Sequence, residues 1–140
     1  MKDYVYLVTP FFAWFVAGIV KFLINSIKSR RLAIDLIGYG GMPSNHSAIV
    51  CSILALIAYR DGINNPAFGV SVALAFIVIL DASSLRKQVG RHAARLNMLS
   101  RSANLDTPIL RERMGHTRLE ILSGAILGLS IGSLAGFFSS

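Results

Sequence analysis

Charge is scarce in this chain. Only 15% of its 140 residues are charged, against 54% that are apolar, and an apolar excess of this size is beyond what a soluble domain normally carries. Cysteine is scarcer still: Cys51 stands alone inside an apolar run, which excludes an internal disulfide and reads as a small buried hydrophobe, leaving the redox compartment undecided. The three histidines and seven acids show no compact ligand spacing, so no metal or other cofactor is expected. The length leaves no room for a second domain beside several membrane crossings of roughly 20 residues each, and 1–140 is read as a single unit.

What the chain has instead is apolar runs separated by basic stretches. Segment 4–25 is aromatic-rich and uncharged as far as Lys21, long enough to span a bilayer, and it lacks a convincing signal-peptide cleavage site, so it is expected to remain in the mature protein. A basic patch with Lys28, Arg30 and Arg31 follows, then a loop rich in glycine (Gly38, Gly40, Gly41) that ends in Pro43. Ser44 is placed to cap a second helix whose apolar body, 48–59, is short for a span unless the polar turn before it also lies at membrane depth. Residues 60–66 read as a turn and 67–80 as a third apolar run. Segment 81–99 continues without proline, with Leu85, Val89, Leu96 and Leu99 near one helical face and Arg86, Lys87, Arg91 and Arg95 elsewhere. That pattern predicts an amphipathic helix at headgroup level, with His92 as an interfacial residue. Segment 101–113 reads as polar loop, and 119–138 as the last apolar helix. The expected fold is all-α: an integral membrane bundle of about four transmembrane helices plus an interfacial amphipathic helix.

Four crossings divide the charges unevenly. Lys2 and Arg60 share one side with Asp3 and Asp61, while the other side holds the remaining twelve Lys and Arg and five acids. The side rich in Lys and Arg is expected to be cytoplasmic, with both termini outside it. A net charge of +7 interleaved with membrane-length segments points to phospholipid headgroups or a phosphorylated substrate as partners, not to nucleic acid.

The most informative spacing lies near the end of the chain, where His116, Glu120, Gly124, Gly128, Gly132 and Gly136 recur every four residues. Residues four apart share a helix face. Glycine at each step lets a neighbouring helix approach closely, so this face is expected to point into the bundle, or into a homodimer. His116 and Glu120 then face inward as well, and the carboxylate can accept a hydrogen bond from one imidazole nitrogen while the other serves as nucleophile or base. A second constellation runs from Gly40 to Ser47, a flexible loop opening onto a helix N-terminus. Unpaired backbone N–H groups there attract anions, Ser44 and Asn45 add neutral donors, and His46 in the first turn is a candidate proton donor. Lys21, Arg86 and Arg111 border the same side and are candidate phosphate clamps. Asp81 ends the third apolar run there, as a salt-bridge partner or a metal ligand.

Together the run Gly-Gly-Met-Pro43-Ser44-Asn45-His46-Ser47-Ala, the pair Asp81 and Arg86, and Gly115-His116 followed by Glu120-Ile-Leu-Ser-Gly124 resemble the divergent branch of the type 2 phosphatidic acid phosphatases, related to acid phosphatases and vanadium-dependent haloperoxidases. The likeness covers nearly the whole chain. It implies that His116 attacks phosphorus, Glu120 orients it, and His46 protonates the leaving oxygen. Phosphate contacts would fall to Ser44, Asn45 through its backbone, Lys21 and Arg111, with no obligatory metal. Asn45 stands where that superfamily usually has glycine, and Glu120 where it usually has aspartate. The implied activity is hydrolysis of a lipid phosphomonoester or diphosphate at the cytoplasmic face of a bacterial-type plasma membrane. A non-catalytic lipid-phosphate-binding or transport subunit would use the same basic pocket, and a vanadate-dependent oxidant enzyme is the remaining chemical alternative.

Overall fold

A computed structural model describes residues 4–30, 32 and 41–139. The described residues form helices joined by turns and one irregular segment, with no strand among them: α1 (Val5–Ser29), α2 (Asn45–Arg60), α3 (Pro66–Leu80), a π-helical turn (Asp81–Leu85), α4 (Arg86–Ser102) and α5 (Arg118–Ser139). Much of the glycine-rich loop, including Gly38 and Gly40, lies outside the described residues, as do Arg31 and Asp35.

The helix ends follow from side chains already visible in the sequence. Ser44 caps α2, its Oγ accepting the Ser47 N–H at 3.3 Å. Asn65 caps α3, its Oδ1 accepting the Ala67 N–H at 2.9 Å, with Pro66 at the first helical position where its missing N–H costs nothing. Three helical stretches are long and apolar enough to cross a membrane: Val5–Ser29, Pro66–Ser102 and Arg118–Ser139. The remaining helix, α2, has 16 residues, about 24 Å at 1.5 Å per residue. The expectation of about four crossings therefore resolves into three helices of spanning length and a shorter fourth.

That shorter helix is the centre of the molecule. α2 packs most extensively against α5, then α1, then α3, and it buries Ser47, Ala48, Val50, Cys51, Ser52, Ala55, Leu56 and Ile57. Its partner face on α5 consists of Gly124, Gly128, Gly132 and Gly136, all buried. A Cβ at these positions would collide in turn with the backbone of Ser44, Ala48 and Ser52 and with the Tyr59 side chain. The four-residue glycine repeat thus serves packing within the chain, and α2 and α5 run parallel in close backbone contact, as small residues permit in membranes. The outer faces of α1, α3 and α5 leave large apolar side chains exposed, among them Phe11, Trp14, Val70, Phe76, Leu122 and Phe137, as a lipid-facing surface requires.

At the end away from the basic segments, α1 is tied to the α2–α3 turn. Tyr6 donates its hydroxyl to Asp61 at 2.5 Å, and the Arg60 guanidinium stands 5.2 Å from the Tyr6 ring centroid. α3 passes without a break into α4 through the π turn. There the Ser83 and Ser84 hydroxyls both donate to the Leu80 carbonyl, and the Arg86 N–H reaches back five residues to Asp81. Serine hydroxyls competing for a helix carbonyl are a physical cause for such a local rewinding.

Candidate active site

Parallel packing of α2 on α5 brings their first turns side by side. The Ser44 N–H donates to the Glu120 backbone carbonyl at 2.8 Å, so the cap of α2 sits against the first turn of α5. This fixes the two histidines of the two motifs next to each other: the His46 and His116 rings are 6.2 Å apart between centroids and inclined at 56°.

His116 is 7% exposed. Its Nδ1 is 3.2 Å from Glu120 Oε2, and since an ionised carboxylate only accepts, Nδ1 carries the proton and Nε2 keeps its lone pair. Glu120 is itself held. Its Oε2 accepts the Thr117 N–H at 2.8 Å, and its own N–H donates to Thr117 Oγ1 at 3.3 Å, a reciprocal capping box that fixes the carboxylate at the helix start. Thr117 was not singled out from the sequence, although Thr117-Arg-Leu-Glu120 immediately before an apolar run is the signature of that motif. Burial pushes the His116 pKa below the ordinary imidazole value, an effect opposed by Glu120 and reinforced by the charges of Lys21 and Arg86. A neutral imidazole with a free Nε2 is the form competent as a nucleophile.

His46 opens α2, and its Nδ1 is buried without a hydrogen-bond partner among the described residues; the same holds for Asn45 Oδ1. Ser44 is fully buried, its Oγ receiving both the N–H and the hydroxyl of Ser47 (3.3 and 3.1 Å). With its N–H on Glu120 and its hydroxyl on Ser47, Ser44 acts as the joint between α2 and α5. Lys21 is half-buried on α1, two turns before that helix ends, with its side chain beside Gly41. Asp81 and Arg86 form an ion pair across the π turn, with Nε 2.6 Å from Oδ2 and both side chains about one-third exposed. Of the two readings of Asp81, the structure displays the ion pair. No group of three or more His, Cys, Asp and Glu able to hold a metal occurs among the described residues. Arg111 lies exposed on the segment before His116, its Nε donating to the Arg113 carbonyl at 3.2 Å. The structure thus gathers His46, His116, Glu120, Ser44 and Asn45 at one end of the α2–α5 pair, with Lys21 and Arg86 acting on it electrostatically.

Beside this cluster lies an apolar groove of about 370 Å³ between α1 and α5. It is lined by Val20, Ile24, Met42 and Pro43 on one side and Ser123, Ile126, Leu127 and Ser130 on the other. Met42 and Pro43 directly precede Ser44, so the groove begins where the polar cluster ends.

The Divergent PAP2 family matches residues 3–131, covering both histidine motifs and every helix but the last turns of α5. The chain belongs to that family. It is also 30% identical over 138 residues to a Bacillus subtilis (strain 168) protein named "Uncharacterized membrane protein YuiD", with 87% of each chain covered. No solved structure matches. Family membership, the similarity to a membrane protein and three helices of spanning length make this a membrane protein of the divergent PAP2 family.

Proposed function

We propose that this protein is a membrane-embedded lipid phosphate phosphatase that hydrolyses a phosphomonoester or diphosphate through a phosphohistidine on His116, at the cytoplasmic face. The observation that carries this reading is the His116–Glu120 contact at 3.2 Å facing a second histidine ring at 6.2 Å. One imidazole is oriented with a free nitrogen, and the other stands beside it without being part of the same hydrogen-bonded pair.

In the first step His116 Nε2 bonds to phosphorus as the bond to the leaving oxygen breaks, and His46 gives that oxygen its proton. Lys21 and Arg86 stabilise charge on the transferring phosphoryl group, and Arg111, exposed on the segment before His116, is the candidate third cation. In the second step water attacks the phosphohistidine, His46 takes the proton from that water, and inorganic phosphate leaves with His116 restored. Backbone N–H groups at the start of α2, with Asn45, offer donors to the phosphate. The substrate's hydrocarbon tail lies in the α1–α5 groove, whose lining is largely apolar and includes Met42 and Pro43, the two residues before Ser44.

Rapid quenching with lipid phosphate labelled on phosphorus is expected to leave label on the protein in a linkage stable to base and labile to acid. His116→Ala abolishes that label and turnover. His46→Ala slows turnover by about 10²–10⁴-fold, the usual contribution of a general acid, and leaves labelling intact for a good leaving group. A folded His116→Ala protein that turns substrate over at the normal rate would sink the covalent mechanism. If the wild type binds lipid phosphates and releases no phosphate from any of them, the binding or transport reading takes its place.

A further inference from the structure

We propose that Asn97, on the basic amphipathic helix, is a positioning residue for His116. It sets the register of segment 110–116 along α4, and the segment carries the imidazole to its place. Asn97 is 6% exposed on a helix whose neighbouring residues Arg95, Leu96, Met98 and Leu99 are exposed. Both ends of its amide are engaged by residues 13 to 15 positions further along: Oδ1 accepts the Leu110 N–H at 2.9 Å, while Nδ2 donates to the Leu110 carbonyl and to Glu112 Oε1, both at 2.8 Å. A side-chain amide that satisfies both backbone groups of one residue pairs with it as a neighbouring strand would, and defines its position along the helix.

From Leu110 the segment runs back along α4 towards the π turn, meeting it at successive points. The Glu112 carbonyl lies against Gly90, where any Cβ would strike it, and Gly115, at φ +83°, lies against Lys87 and the Ala82 carbonyl. The His116 N–H then donates to that same Ala82 carbonyl at 2.9 Å. The segment is not fully extended, since the Met114 N–H donates to the Glu112 carbonyl at 3.0 Å. It is held to the helix at Asn97, at Gly90, at Lys87 and at Ala82 in turn, and a shift at Asn97 is passed along this series of contacts to His116. The same rail carries Arg86, so the clamp also fixes the imidazole relative to that guanidinium.

The activity part of this inference rests on the proposed phosphatase reading; the placement part does not. The test uses full-length protein in lipid nanodiscs with Asn97→Ala, Asn97→Asp, and Asn97→Asp combined with Glu112→Gln. It measures phosphate release and the imidazole NMR resonances of His116, assigned by their loss in His116→Ala. Asn97→Ala and Asn97→Asp should lower kcat by about 100-fold, as small misplacements of a reacting group do, with KM changed far less, and should move the His116 resonances. In Asn97→Asp a carboxylate faces Glu112. Adding Glu112→Gln restores a donor between the two positions, and should recover about tenfold of the lost kcat and return the resonances towards the wild-type position. A folded Asn97→Ala protein with wild-type kcat and unmoved His116 resonances overturns the proposal. If that variant does not fold, the pair decides: a double variant no better than Asn97→Asp in either readout overturns it equally. If the wild type releases no phosphate from any lipid phosphate, the phosphatase reading falls, and the His116 resonances alone decide the role of Asn97.

Discussion

His116 is fixed at three points: its N–H on the Ala82 carbonyl, its Nδ1 on Glu120, and its ring beside His46. Its protonation follows from that setting. Burial holds its pKa below about 6.5, and Glu120 works in the opposite direction. The acid limb of kcat/KM, which reports the free enzyme, should therefore lie below pH 6.5, with activity lost as pH falls through the lowered value and His116 gains its proton. Glu120→Gln removes the upward pull, so the limb should move to still lower pH while the plateau rate drops. A pH–rate profile checks both, and a limb that moves upward would contradict the assignment. Thr117→Val should destabilise the protein by about 1 kcal/mol, the usual value of a helix cap, visible as a lower unfolding temperature. At this scale the sequence was most legible where charged partners lie one helical turn apart on one face, although Thr117, within a turn of Glu120, was missed. His116 with Glu120 is such a pair. Asn97 was illegible because its partners lie beyond the end of its own helix in a segment without periodicity, and an asparagine on a basic amphipathic helix looks like any solvated residue.

The pairing of α2 with α5 depends on glycines that are not equivalent to the rest. A Cβ at Gly128 would collide with the Ala48 backbone, whereas one at Gly69 on α3 meets nothing within 4 Å among the described residues. Gly128→Leu should therefore cost about 1–3 kcal/mol or more, as overpacking does, and separate His46 from His116. Gly69→Leu should stay within about 0.5 kcal/mol. Thermal unfolding in detergent compares the two, and equal effects would mean that the repeat does not set the approach of α5. The repeat was readable because an interval of four matches the helical period. The join between α3 and α4 was only half readable: continuity followed from the absence of proline after Asp81, but the π turn arises from Ser83 and Ser84 bonding the Leu80 carbonyl, a local choice that no apolar period encodes.

Across the whole molecule the two ends differ in character. One is closed by Tyr6, Arg60 and Asp61, and the other carries the histidines and nearly all the cations. The proposed function takes the second end to face the cytoplasm, on the positive-inside rule. Single cysteines at Lys28, Arg30 or Arg101, in a variant with Cys51→Ala, should resist a membrane-impermeant thiol reagent applied to intact cells and react once the membrane is opened. Efficient labelling of Arg101→Cys from outside would invert the orientation and move the proposed chemistry to the opposite face.

The parallel association of α2 with α5 also has a consequence for biosynthesis. α2 is short and carries buried serines at positions 44, 47 and 52, while the glycine face that covers them is more than sixty residues further along the chain. A ribosome makes α2 long before α5, so through that interval the serine face has α1 and then α3 beside it and lacks its main cover. α5 follows α1, α2 and α3 into the bilayer, and its arrival both covers the serine face of α2 and brings Glu120 to Ser44. Premature termination ahead of residue 118 therefore costs more than the α5 span itself, because it leaves the central helix without its main cover.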